Sequence, residues 1–295
     1  MTDEREPSRF GPLAALEQQL ERGAIVVYAR CPFALPEGDD RRFLMAQEHS
    51  RWAHKNICYN PHTGRVTGFR RRSRGQAERL RRLLAAFARA ATAWLARELP
   101  RYACAWQPDR ATLRPEEEAT RRLRLTARND LLHIDAFPTR PALGRRILRL
   151  FVNINLSEPR VWVTSDSFAQ LLERYGEQVG LPTTGGGRLA SLLSLLLASF
   201  TGAGRSDYDL FMQRFHDFLK LNDDFQDRGP KHYWYFPPGS AWLVFSDGIA
   251  HAELRGRYAL EHSYFIAPES LALPDEAPAA LLARRAQLPA LRRAA

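Results

Sequence analysis

Two blocks of short apolar or alternating runs, residues 123–164 and 232–266, carry the pattern of strands and turns. In the first, LRLT, LLHIDAF, RRILRLFVNINL and RVWVT are broken by Asn-Asp, proline and Ser-Glu-Pro; in the second, HYWYF, AWLVF and the stretch to Ile266 are broken by Pro-Pro-Gly and Ser-Asp-Gly. Such runs bounded by turn residues read as strands. Residues 166–225 between the blocks are helical in texture, with FAQLLERYG, LASLLSLLLASF (189–200) and DYDLFMQRFHDFLKLNDDF around a flexible TTGGG. Strands so divided must pair across the insertion. The pattern therefore predicts a mainly β core with surrounding helices, an α+β sandwich or barrel.

The rest of the chain fits around that core. A short helix is expected over 10–23, closed by Gly23, and a strand over 24–29. Residues 60–75 are turn-rich and basic. A long amphipathic helix follows over 76–99, with Leu80, Leu83, Leu84, Phe87, Ala91, Trp94 and Leu95 on one stripe and Pro100 as its stop. The organisation expected is one domain over 1–295: a mostly helical layer over 1–122, a core over 123–266 with a helical insertion near 166–228, and a tail over 267–295. No apolar run is long enough to span a bilayer, and the N-terminus has no secretory pattern, which points to the cytoplasm. Cys31, Cys58 and Cys104 are widely spaced, which argues against a disulfide framework or a thiolate zinc site.

Charge adds a constraint on partners. The net charge is +10 and almost all of it is arginine; lysine occurs only at positions 55, 220 and 231. That balance suits a solvated basic surface or an anionic partner, such as nucleic acid, a phosphorylated headgroup or an acidic membrane. No zinc-finger, RRM or P-loop signature supports nucleic acid. The helix over 76–99 reads in two ways, as a core helix with a solvated arginine face or as a helix lying on an anionic membrane.

Within the strand blocks, HIDAF and the segment FSDGIAHAEL bring three metal-capable side chains into consideration. His133 and Asp135 alternate, so on a strand they share a face. His251 opens the strand after a tight Ser-Asp-Gly turn. Two imidazoles and one carboxylate on one side of an ion leave the other side open, the facial arrangement of non-haem Fe(II) oxygenases. The alternative for each is a hydrogen-bonded core residue.

The segments HIDAFPTRP, RILRLFVNIN and EPRVW, with FSDGIAHAELRGRYALEHSYF, resemble the Kdo hydroxylase family. These are Fe(II)/2-oxoglutarate-dependent dioxygenases that hydroxylate 3-deoxy-D-manno-oct-2-ulosonic acid (Kdo) in the inner core of lipopolysaccharide. The resemblance implies a double-stranded β-helix, a cupin-like jelly roll. It implies Fe(II), 2-oxoglutarate and O2 as cofactor and co-substrates, with His133, Asp135 and His251 as the metal ligands and catalytic centre. An arginine on the strand after the distal histidine, Arg257, is expected to anchor 2-oxoglutarate, with Arg149 and Arg160 of the first strand block as alternates and Asn153 as a further contact. Asn153 and Asn155 are cavity-lining candidates; Trp162, Trp234, Trp242, Tyr258, His216 and His262 are expected to be structural.

The implied reaction converts C3 of Kdo to its hydroxylated form, Ko, on a Kdo-containing lipid A precursor. The basic 65–82 segment would then meet the cytoplasmic face of the inner membrane, with no nucleic-acid partner. Competing readings are a 2-oxoglutarate dioxygenase with another substrate, a jelly-roll binding module without turnover, and an arginine-driven nucleic-acid binder.

Overall fold

The run RILRLFVN shows why the core forms as it does. It lacks alternation because both faces are buried: Leu148, Leu150 and Val152 meet the helical layer, while Phe151 packs inside the roll against Trp162 and Trp242. The computed structural model describes residues 15–50, 56–118, 121, 123–181 and 205–287. The apolar run 189–200 and the TTGGG stretch lie outside the described residues, as do 288–295.

Ten strands are described: β1 (Val26–Tyr28), β2 (Ile57–Asn60), β3 (Arg65–Thr67), β4 (Trp106–Arg114), β5 (Arg146–Asn153), β6 (Arg160–Ser167), β7 (His232–Phe236), β8 (Ala241–Phe245), β9 (Ile249–Arg255) and β10 (Ala259–Ile266). The described helices are α1 (Leu16–Glu21), α2 (Gly38–Met45), α3 (Gln76–Glu98), α4 (Pro100–Ala103), α5 (Phe168–Val179), α6 (Asp207–Leu221), α7 (Asp223–Arg228) and α8 (Pro278–Gln287). The larger sheet runs β1-β8-β5-β10-β4-β2-β3 and the smaller runs β7-β6-β9. The His133 segment extends the smaller sheet beside β9 through a bridge to His251. From β4 onward the chain crosses between the two sheets repeatedly, which is the winding of a jelly roll.

Helix α3 caps the outer face of the large sheet. Its stripe is buried in the main apolar cluster together with Leu150, Leu243 and Leu260. The apolar face is therefore core, and the membrane-lying reading of this helix has no exposed stripe to rest on. Phe87 is 2% exposed on that stripe. Phe87→Ala is expected to cost about 3–5 kcal/mol in chemical denaturation; a cost below about 1 kcal/mol would contradict a core role.

Three local differences from the sequence reading have physical causes. LRLT is no strand; Leu125–Ala127 forms one 3-10 turn. The LLHIDAF segment bridges at a single point because its backbone donors diverge. Leu132 N–H goes to the Gln226 side chain, His133 N–H to His251 and Asp135 N–H to Ser246. The layer before residue 122 also supplies strands β1 to β4 to the large sheet. β4 was hidden by Pro108, which sits where its register with β10 shifts.

Candidate metal centre

The bridge between the 133 segment and β9 places the donor side chains. His133 N–H donates to His251 O at 3.1 Å and His251 N–H donates to His133 O at 2.9 Å. This reciprocal pair sets the two residues directly opposite, with ring centroids 4.7 Å apart. Asp135, two residues on, returns to the same side, and His133 Nε2 lies 3.7 Å from Asp135 Oδ1. One donor atom from each of His133, Asp135 and His251 lies within 4.8 Å of the others, and all three residues are buried.

The protonation states suit a cation. His133 Nδ1 meets Leu131 O at 2.7 Å and His251 Nδ1 meets Ile249 O at 3.1 Å. A carbonyl only accepts, so each Nδ1 carries the proton and each Nε2 keeps its lone pair for a ligand. Burial pushes both imidazoles toward the neutral form. For Asp135 burial alone would raise the carboxyl, but the Arg149 guanidinium outweighs it and holds Asp135 at about 2. The His251 ring is further fixed by stacking on Trp162, 5.4 Å between centroids. Two neutral nitrogens and one carboxylate fit a divalent first-row ion, and leave no fourth protein ligand among the described residues.

Behind Asp135 runs a buried chain of alternating charge. Arg149 donates to Asp135 Oδ2 and, through Nε, to Glu261 Oε1 at 2.8 Å. Arg114 links Glu261 Oε2 at 2.7 Å to Glu253 Oε1 at 2.6 Å, and Arg160 closes the far end on Glu253. Three guanidiniums thus face three carboxylates, which keeps the buried network neutral. Because Oδ2 of Asp135 is occupied, only Oδ1 faces His133. Arg149→Met is expected to weaken Fe(II) binding about 10- to 100-fold in anaerobic titration; unchanged affinity would show that Arg149 does not orient the carboxylate.

A cavity of about 650 Å³ opens onto His133 and Asp135. Of the three arginines considered for the co-substrate, the structure brings only Arg149 to it. Arg257 is exposed, donates to Pro115 O at 3.1 Å and stacks on Tyr258. The cause is the tight β9–β10 turn, where Gly256 (φ +117°) and Tyr258 (φ 63°) place Arg257 in the connection and not on the strand. Arg160 is sealed under Glu253 and the Gly256 carbonyl. The Asn153 amide donates to Glu158 O and Phe236 O, and Asn155 accepts from Ser157 and Glu158, so both knot a turn and are not among the residues lining this cavity. Trp162 and Trp242 are core as expected.

Other groups at the cavity escaped the sequence reading. His216, expected to be structural, lines it from α6 and sits edge-on to His133 at 5.2 Å, its Nδ1 held by Asp217 at 2.8 Å. Nothing in a helical run marks such a histidine. Glu261 and Ser263 alternate on β10 and both line the cavity, a period-two signal that was legible.

A jelly roll with a buried His-x-Asp…His set beside an open cavity defines a class, the non-haem Fe(II) oxygenases. Residues 8–289 match the family described as 3-deoxy-D-manno-oct-2-ulosonic acid (Kdo) hydroxylase. The structure of the Kdo hydroxylase KdoO, a non-heme Fe(II) alphaketoglutarate dependent dioxygenase, in complex with alphaketoglutarate and Fe(III) superposes with a TM-score of 0.79. Identity is 30%, over 91% of this chain and 88% of that chain. The cobalt(II) complex of KdoO gives a TM-score of 0.80 at 29% identity, over 95% and 91% of the two chains. Its complex with succinate and Fe(III) gives 0.79 at 28% identity, with the same coverage. No curated protein sequence matches the chain. The chain belongs to the Kdo hydroxylase family and is an enzyme of the Fe(II)/2-oxoglutarate-dependent dioxygenase class.

Proposed function

We propose that this enzyme hydroxylates C3 of a Kdo residue attached to a lipid A precursor, giving Ko, with His133, Asp135 and His251 holding the ferrous ion. The observation that carries the reading is the convergence of two neutral imidazoles and one singly available carboxylate oxygen beside the cavity that His133 and Asp135 line. When bound, Fe(II) with 2-oxoglutarate and O2 supplies the oxidant that inserts one oxygen into a C–H bond, leaving succinate and CO2. The protein's own part is placement. Leu131 O and Ile249 O fix the tautomers, Arg149 fixes Asp135, and the aromatic floor around Trp162 keeps water from His251. Arg149 has spent three of its guanidinium hydrogen bonds on Asp135 and Glu261 and keeps N–H groups for a co-substrate carboxylate.

The test is anaerobic purification followed by Fe(II), 2-oxoglutarate, O2 and Kdo-lipid A, with mass spectrometry of the lipid. Gain of one oxygen supports the reading. Succinate released only with some other acid would move the same chemistry to another substrate.

We also propose that the enzyme meets the anionic cytoplasmic face of the inner membrane. No described helix is long and apolar enough to cross a bilayer. The contact rests on the arginines of 65–82 and not on an apolar stripe. Arg71 and Arg74 are exposed there, while Arg70, Arg72 and Arg79 are partly neutralised by Glu48 and Asp40. Binding to anionic vesicles that disappears between low salt and physiological salt is the expected result; no binding at low salt would refute it.

A further inference from the structure

The cavity holds a second basic group away from the metal end. The HIDAFPTR segment lines the cavity from the metal ligands to Arg140, and two guanidiniums approach the Phe137 ring. Arg140 stacks on its ring at 4.2 Å, and Arg149, the metal-side arginine, approaches it at 5.9 Å. Arg110 comes from β4, where positions 110, 112 and 114 alternate onto the cavity side. Arg114 is committed to Glu253 and Glu261, but among the described residues Arg110 pairs with no carboxylate. Arg140 touches the Asp109 carboxylate, and its buried Nε makes no hydrogen bond. Asp109 is thus the one carboxylate in direct contact with either cation among the described residues, and Glu261, which also acts on Arg140, is already held by Arg114 and Arg149. Cys58 lies within reach of both and adds no compensating charge, because burial pushes its thiol up and keeps it neutral. Burial, with the nearby Arg149 guanidinium, brings Arg140 down to about 10 against the opposing pull of Glu261.

We propose that Arg110 and Arg140 form an anion seat in the outer cavity that takes the carboxylate of the sugar acid being hydroxylated. The assignment rests on the Kdo reading above. In a 3-deoxy-2-ulosonic acid the carboxyl carbon is C1, so C3 is two bonds away. Gripping that carboxylate one aromatic ring from Arg149 fixes C3 toward the metal end. Guanidinium forks suit this because they meet a carboxylate through two parallel N–H groups. The pair is thus a specificity determinant distinct from the three metal ligands.

The test compares Kdo-lipid A with its Kdo methyl ester. For the unmodified enzyme the acid is expected to exceed the ester in kcat/KM roughly 10- to 150-fold, the range of a charge-assisted hydrogen bond. Arg110→Met and Arg140→Met are expected to bring acid and ester within about threefold of each other, and Arg140→Lys to restore part of the preference. The dissociation constant of 2-oxoglutarate, titrated anaerobically on the ferrous enzyme, is expected to stay within about twofold. Equal turnover of acid and ester by the unmodified enzyme, a comparison that needs no variant, overturns the seat. So does weakened 2-oxoglutarate binding in both variants, which would make it the co-substrate's seat. If the acid itself is not oxygenated, the Kdo reading falls first and takes this assignment with it.

Discussion

His133→Ala is expected to abolish oxygen transfer to Kdo-lipid A and to lower Fe(II) affinity by more than about 100-fold, beyond what loss of a supporting hydrogen bond costs. The fold should survive. The bridge between residues 133 and 251 is made by backbone groups that alanine retains, and the removed ring contributes polar surface in a buried place. Anaerobic ferrous titration and circular dichroism of the same preparation check both halves. Tight stoichiometric iron in a folded His133→Ala variant would show that this imidazole is no ligand.

Glu261→Ala is expected to be the most destabilising single change in the charge network, by about 3–5 kcal/mol. Glu261 is 2% exposed and accepts from both Arg149 and Arg114, with Thr112 and Ser263 completing its oxygens at 3.0 Å each. Burial would raise its carboxyl, but the two arginines outweigh that and hold it well below the usual range. Removing it leaves the three buried guanidiniums of Arg114, Arg149 and Arg160 facing only Asp135 and Glu253. Urea denaturation gives the loss directly; a change below about 1 kcal/mol would mean that the network carries no such load. The conservative Glu261→Gln keeps the shape but not the charge, and is expected to retain the fold with weakened stability.

What the sequence disclosed follows from what each signal depends on. The His-x-Asp pair and His251 were legible because strand alternation and a tight turn fix direction locally, and the structure brings all three together. Helix α3 was legible from its stripe, although only the core around Leu150 and Leu243 decides that the stripe faces inward. Arg257 lies away from the cavity, on Pro115 and Tyr258, because spacing from His251 along the chain does not show how the turn aims the side chain. The positive-φ residues of the β9–β10 turn, Gly256 and Tyr258, redirect the backbone there. Arg140 lay in plain view within HIDAFPTR, but its value depends on β4, a strand masked by Pro108. His216 reaches the cavity only because α6 folds back over the His133 ring, a contact across 83 positions of chain that no local pattern encodes.

The central claim is that His133, Asp135 and His251 bind one ferrous ion. Anomalous diffraction at the iron edge, on crystals grown without oxygen and soaked in Fe(II) and 2-oxoglutarate, tests it most directly. The account predicts one strong peak about 2.0–2.2 Å from His133 Nε2, His251 Nε2 and a single Asp135 oxygen. Iron bound elsewhere in the cavity, or held without His251, would contradict it.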